Sequence, residues 1–258
     1  MKISIITVCF NSSKTIRDTI ESVLSQDHSD IEYIIIDGGS SDGTVEIISE
    51  YQSKIAKFVS EKDRGIYDAM NKGISLATGD VIGILNSDDI YINSDTVSEL
   101  MQVMNHKNAD CVFADLIVVD PQNMKRVLRY YDSSKFKTSK FRFGWMPAHP
   151  TFFVKRQVYE KVGMFSLKYQ IAADYEMLIR ILHVHQFKYA YLPKPVVKMR
   201  SGGTSSAGLS RNWILNKEIV LACKENGIWT AMPLLIIKIP FKLLELIKAR
   251  FWGESITG

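Results

Sequence analysis

Between Ile3 and Asp89 the chain alternates short, β-branched apolar runs with stretches of helical periodicity, and every run is cut off by small polar residues. Residues 3–8 read as a strand that stops at Cys9-Phe10-Asn11-Ser12. Ile16, Ile20, Val23 and Leu24 then share one helical stripe, with Ser12 or Ser13 as the cap. Residues 31–36 form a second run, ended by Asp37-Gly38-Gly39-Ser40-Ser41-Asp42-Gly43-Thr44, and Val45, Ile47, Ile48 and Tyr51 suggest a short helix. Residues 56–60 make a weaker strand, 61–65 a charged turn and 66–77 a helix. Residues 80–85 are the fourth run, stopping at Asn86-Ser87-Asp88-Asp89. This series predicts an α/β fold, a mostly parallel, twisted, doubly wound sheet with right-handed crossovers. The loops 9–12, 37–44 and 86–89 each follow the carboxyl end of a strand, where open α/β sheets bind ligands.

The remainder is less regular. A helix is expected to about His106, a strand at 110–118, a strand after 151, a helix at 156–162, a helix opening near Ile171, a strand at 188–192 closed by Pro193 and Pro195, and a helix at 210–226. Between Pro121 and Arg142, Lys125, Arg126, Arg129, Lys135, Lys137, Lys140 and Arg142 face the single acid Asp132, with Tyr130, Tyr131, Phe136 and Phe141 interleaved. The stretch reads as solvated loop or polar-faced antiparallel strand, or as a flap over an anionic substrate or lipid. Residues 228–252 are rich in Leu, Ile, Phe and Trp, and Lys238, Lys242, Glu245 and Lys248 make a polar stripe interrupted by Pro233 and Pro240. Such a basic amphipathic segment suits peripheral contact with a membrane interface, or packs as an ordinary terminal helix.

Composition narrows the class. A hydrophobic fraction of 46% and a charged fraction of 23% support a sizeable folded core. A net charge of +4 is too mild to call for nucleic acid. Cys9, Cys111 and Cys223 are far apart and odd in number, which points to free thiols in a reducing compartment. The apolar run at the N-terminus is too short for a secretory signal, and no stretch reaches the roughly 20 apolar residues of a spanning helix. The expected location is cytoplasmic, peripheral at the inner face of the cell membrane. Neither a G-x-x-x-x-G-K-[ST] loop nor a G-x-G-x-x-G after the first strand is present, so ATPase and dinucleotide readings lose their support.

Asp88 and Asp89 read either as ligands for a hard cation or as a loop cap; adjacent carboxylates repel unless a cation or donors neutralise them. Asp174, near a helix start, reads as a cap or a base, whereas Glu176 has a ready partner in Arg180 four residues on. His149 lies in a proline-flanked turn, and Gly202-Gly203-Thr204-Ser205 resembles a mobile lid.

Four stretches, Ser4 to Asn11, Ile36 to Thr44, Asp63 to Gly73 and Asn86 to Asp89, stand in an order and spacing that resemble the family 2 glycosyltransferases, with Ala172-Ala173-Asp174-Tyr175-Glu176 as a further match. The flavour is that of bacterial enzymes that build surface polysaccharide such as O-antigen. The resemblance implies a GT-A fold and inverting transfer of a sugar from a nucleoside diphosphate, a UDP-sugar for preference, to a hydroxyl of a saccharide or lipid-linked saccharide. It implies that Thr7, Asn11, Asp37, Arg64, Asn71, Ser87 and Asp88 bind the nucleotide-sugar. Asp88 and Asp89 would hold Mn²⁺ or Mg²⁺, and Asp174 would be the base. His149, Glu176, Arg200 and Thr204 are implied for the acceptor or the lid, with Glu176 as substitute base. Asn86 stands where the family's metal motif has its first acid, and Gly38 where many relatives carry a second acid. Residues 1–208 form the expected catalytic domain, 1–115 its nucleotide-sugar half and 116–208 its acceptor half, with 209–258 as C-terminal helices. A sugar-phosphate nucleotidyltransferase and a non-catalytic nucleotide-binding scaffold are the alternatives.

Overall fold

The computed structural model describes residues 1–202 and 208–236. The Thr204 expectation and most of the C-terminal segment, 237–258, lie outside the described residues.

The described strands form one sheet in the order β3-β2-β1-β4-β8-β6-β9-β5, with β7 on a branch. Strands β1 (Ile3–Cys9), β2 (Ile31–Asp37), β3 (Lys57–Ser60) and β4 (Val81–Ile84) pair in parallel. β8 (Phe153–Lys155) is antiparallel to both β4 and β6 (Cys111–Asp120), so β6 and its parallel neighbour β9 (Tyr189–Arg200) point the same way as β1–β4. The expected mostly parallel twisted sheet is therefore present, with antiparallel joints at β8, β5 (Asp89–Tyr91) and β7 (Asn123–Tyr131).

The central strands are buried on both faces, which is why they read as continuous apolar runs. Ile3, Ile5, Tyr33 and Ile35 pack on α1 (Ile16–Leu24) and α4 (Thr96–His106); Ile6, Val8, Ile34 and Ile36 pack on α3 (Ile66–Leu76). Each such side chain removed from water contributes roughly 1.5–3 kcal/mol. The same α3 side carries α6 (Ala173–Ile179) and α7 (Gly208–Glu225), while α2 (Thr44–Ser49), α5 (Arg156–Val162) and α8 (Met232–Ile236) are short. Gly83 of β4 faces Phe153, and a Cβ there would run into the ring.

Two elements, β5 and β9, depart from the sequence expectation, while the basic stretch follows its polar-faced antiparallel strand reading. β5 is only three residues long and exists because it pairs with the end of β9. The basic stretch contributes β7, whose outer positions are polar and exposed. β9 does not stop at Pro193 and Pro195. Its register against β6 jumps from Leu192 opposite Ala114 to Pro195 opposite Asp115, so the strand continues past the prolines through a bulge. β6 forks along one edge, pairing with β8 through Cys111 and Val112 and with β7 from Leu116 to Asp120.

Candidate active site

The loops after β1, β2 and β4 meet. Asn11, in the left-handed region at φ 49°, donates its N–H to Ser40 Oγ at 2.7 Å and accepts from Ser41 N at 3.0 Å. Ser12 N donates to Thr44 Oγ1 at 2.8 Å and Ser13 N to Asp42 Oδ2 at 3.0 Å. The Ser12 and Ser87 hydroxyls are 2.8 Å apart, joining the β1 loop to the β4 loop. Phe10 stays 62% exposed at this mouth.

Asp37 is the keystone of the second loop rather than an open ligand group. Its carboxylate is fully buried and accepts from Gly39 N at 3.1 Å, Ser40 N at 3.0 Å and Ser60 Oγ at 2.6 Å. Burial alone would raise its pKa, but the Ser40 and Ser60 donors outweigh it and hold the group below the usual carboxylate range. The space beside Gly38 is filled by the Asp63 carboxylate, which also accepts from Gly65 N at 2.8 Å. An acid thus stands next to Gly38, the position where the second loop lacks one, supplied by a different loop.

Two residues expected at the nucleotide are engaged elsewhere. Thr7 is fully buried, and its hydroxyl accepts from Tyr33 Oη at 3.1 Å, because alternation along β1 turns it toward the α1–α4 layer. Asn71 spends both ends of its amide on the Phe165 backbone, Nδ2 to the carbonyl and Oδ1 from the N–H, each at 2.9 Å. Arg64 is exposed on the loop and donates to Asp68 Oδ1 at 2.7 Å, which keeps Asp68 below the usual range.

The adjacent carboxylates part company because Asp88 sits in the turn closed by Asp89 N and the Asn86 carbonyl, whereas Asp89 opens β5. Asp88 is half-buried, and no other described residue donates to its carboxylate; burial raises its pKa and Arg200 opposes this. Asp89 is 1% exposed and turned inward, with Oδ2 3.4 Å from Asn86 Nδ2 and Oδ1 unpartnered among the described residues. Burial, then the Asp88 charge, push its pKa well up. Asp89, expected beside Asp88 at the metal, is thus the buried member of the pair. Arg200, 8% exposed, donates to the Asp88 carbonyl at 3.0 Å and pairs with Asp18 of α1. It braces the Asp88 loop from below.

Among the described residues no group of three or more His, Cys, Asp or Glu is arranged to hold a metal ion. What is present, one accessible carboxylate at a strand end, fits a Mg²⁺- or Mn²⁺-type ion that brings substrate phosphates and water as its other ligands.

Asp174 opens α6. Its Oδ1 accepts from Tyr175 N at 2.8 Å and from Tyr67 Oη at 3.3 Å. Burial raises its pKa, countered first by His149. His149 is itself lowered by burial and raised by Asp174, and its ring meets Phe165 edge-on at 5.9 Å. The turn 149–151 immediately precedes β8, and Gly83 pairs with Phe153; continuing that antiparallel register brings His149 alongside the end of β4. The His149 turn therefore borders both the Asp88 loop and Asp174. Glu176, 6% exposed and expected as the substitute base, pairs with Arg180 at 2.8 Å, and Arg180 in turn donates to the Val162 and Met164 carbonyls. Tyr67 is an addition: it lies inside the Asp63–Gly73 motif, yet only the fold reveals that it reaches Asp174. A cavity of about 640 Å³ between Thr138, His183, Gln186 and Tyr189 lies at the amino ends of β6 and β9, away from these residues.

A curled mixed sheet whose strand-end loops converge on an accessible carboxylate defines the GT-A class of fold. The model of the "Glycosyl transferase family 2" matches residues 4–163, and the chain belongs to that family. A "PGL/p-HBAD biosynthesis glycosyltransferase" of Mycobacterium bovis is 27% identical over 84% of this chain and 82% of its own length. An uncharacterized glycosyltransferase of Mycobacterium tuberculosis is 32% identical over 69% of this chain and 68% of its own. The chondroitin synthase of Pasteurella multocida is 29% identical over 72% of this chain, which spans only 19% of that protein. Among solved structures, S. aureus TarS 1-349 in complex with UDP-GlcNAc superposes with a TM-score of 0.66 at 18% identity, covering 86% of this chain and 66% of that one. A mannosyltransferase of Pyrobaculum calidifontis in complex with GDP-Man and Mn²⁺ also gives 0.66 at 18% identity, covering 98% and 75%.

Proposed function

We propose that this chain moves a sugar, with inversion, from a nucleoside-diphosphate sugar, a UDP-sugar by preference, to a hydroxyl of a saccharide or lipid-linked saccharide in surface glycan synthesis. The observation that carries this reading is Asp174, a half-buried carboxylate held by Tyr67 and Tyr175 N beside the His149 turn that borders the Asp88 loop. The acceptor oxygen forms its bond to the anomeric carbon as the bond to the diphosphate breaks. The electron pair leaves with the diphosphate, and the hydroxyl proton passes to Asp174. Asn11, Arg64 and Ser87 line the donor side, Phe10 offers a ring face to the base, and Asp37 keeps the neighbouring loop after β2 in shape. Asp88 would hold a Mg²⁺ or Mn²⁺ ion, which supplies charge neutralisation for the departing diphosphate when bound.

UDP-GlcNAc in TarS, and GDP-Man with Mn²⁺ in the mannosyltransferase, support a nucleotide-sugar donor and a divalent ion. Relatives named for PGL/p-HBAD and chondroitin synthesis support a surface-glycan setting. We also assign peripheral contact with the inner face of the cell membrane to the C-terminal segment. Trp229 is 68% exposed, stacked under Arg142 at 5.9 Å, and Thr230 donates to the Arg142 carbonyl, so the start of the segment adjoins the basic stretch. Among the described residues no helix is long and apolar enough to cross a membrane.

The test is a donor screen that measures nucleoside diphosphate release from UDP- and GDP-sugars with Mn²⁺, with Mg²⁺ and with chelator. Release from at least one donor, dependent on the ion, is expected. Silence on every donor refutes the reading.

A further inference from the structure

Helix α7 grips the segment between α5 and α6 that delivers Asp174. Glu218 Oε1 accepts from Gln170 N at 2.8 Å, and Oε2 accepts from Ile171 N at 2.9 Å and Ala172 N at 2.8 Å. Three consecutive peptide N–H groups thus converge on one carboxylate, an anion nest whose occupant is a side chain of the same protein. One helical stretch further on, Glu225 accepts from Tyr169 Oη at 2.7 Å and pairs with Lys168. Ala172 caps α6 and is fully buried, and Asp174 lies two residues beyond it. Tyr67 Oη donates to the Ile171 carbonyl, on the other side of the same peptide run. The path of the chain into the candidate base is therefore set by Glu218 from one side and Tyr67 from the other.

We propose that Glu218 is a positioning residue for the transfer step. It holds residues 170–172 so that the Asp174 carboxylate stays in register with the acceptor hydroxyl; the inference rests on the reading of Asp174 as base. Among the described residues Glu218 makes no hydrogen bond to the loops after β1, β2 or β4, so it governs the chemical step and not donor binding. The Asp88 loop has its own brace, Arg200. In sequence, residues 201–217 separate the supports of the two working carboxylates.

The experiment compares Glu218→Ala, Glu218→Gln and Asp174→Asn with the unsubstituted protein. Nucleoside diphosphate release from a panel of UDP- and GDP-sugars, with water as acceptor and Mn²⁺ present, gives kcat and KM. Amide hydrogen exchange over residues 166–180 is followed in parallel. In Glu218→Ala we expect kcat to fall about 10- to 100-fold, the scale of a misplacement near 1 Å. Donor KM should stay within about twofold, by the same separation of positioning from binding. The amides of Gln170, Ile171 and Ala172 should exchange at least about tenfold faster, as expected when an acceptor is lost. Glu218→Gln, which keeps one acceptor oxygen, should fall between. If Glu218→Ala keeps kcat within about threefold while Asp174→Asn is inactive, the positioning role is wrong and the base assignment stands. If kcat and donor affinity collapse together with the melting temperature, Glu218 holds the whole fold and the proposal is overturned. Full turnover in Asp174→Asn, or none in the unsubstituted protein, sinks the base assignment and this inference with it.

Discussion

The side-chain amide of Asn71 closes a two-bond ring with the backbone of Phe165, nitrogen to carbonyl and oxygen to N–H, both at 2.9 Å. A residue from the middle of a donor-side motif thereby ties α3 to the segment that leads toward Asp174. Asn71→Ala should cost about 1–3 kcal/mol through the two unmade bonds. Its effect on UDP or GDP affinity should be small. Urea denaturation beside nucleotide titration separates the outcomes; a lost affinity with unchanged stability would return Asn71 to the donor site.

Asp174→Asn should lower turnover by about 10²- to 10⁴-fold while leaving circular dichroism and nucleotide affinity intact. Burial raises the Asp174 pKa. The acid limb of kcat should therefore sit above the ordinary carboxylate value of about 3.9, with activity lost as pH falls through it. A pH–rate profile of the unsubstituted protein reads this directly.

Asp88 and Asp89 should behave as opposites. Asp88→Asn should weaken the Mn²⁺ or Mg²⁺ dependence of turnover, and Asp89→Asn should leave it close to unchanged. For stability the sign runs the other way. Asp89 binds its proton more tightly folded than unfolded, so the native state loses stability as pH rises through the window above 3.8. Asp89→Asn removes that loss and should melt higher than the unsubstituted protein at pH 8, with the difference closing at pH 4. Melting curves at the two pH values decide it.

Glu32, at the end of the sheet away from the site, accepts from Ser4 Oγ at 2.5 Å, Thr78 N at 2.7 Å, Thr78 Oγ1 at 2.7 Å and Lys2 Nζ at 3.1 Å. Burial pushes its pKa up, but the Ser4, Thr78 and Lys2 donors carry it down to about 2. A depressed carboxylate stabilises the fold above its unfolded pKa and loses that contribution, about 3 kcal/mol, as pH falls from 4.5 toward 2. Glu32→Gln should accordingly be less stable at pH 7, and the gap should shrink through that acid window in urea titrations.

What the chain discloses before folding follows from local pattern. Strands β1, β2 and β4 are legible because burial on both faces leaves unbroken β-branched runs, and their loops because Gly, Ser and Asp stop such runs. β5 has three residues, too few for any periodicity, and is made by its partner β9. The bulge at Pro193 and Pro195 depends on where β6 happens to lie. At the site, Asp88 and Asp174 were visible as carboxylates at element ends. The inward turn of Asp89 needed the strand register, and the burial of Thr7 needed the neighbouring Tyr33. Glu218 leaves no trace in sequence, since a carboxylate that collects peptide N–H groups has no partner pattern to match.

The fork in β6 has an evolutionary corollary. β7 hangs from the far half of that strand and shares no ladder bond with β1 to β4. Lengthening, recharging or exchanging this outrigger leaves the nucleotide-gripping chassis with every rung in place. One hairpin can thus vary without disturbing the strands whose ends carry Asn11, Asp37 and Asp88.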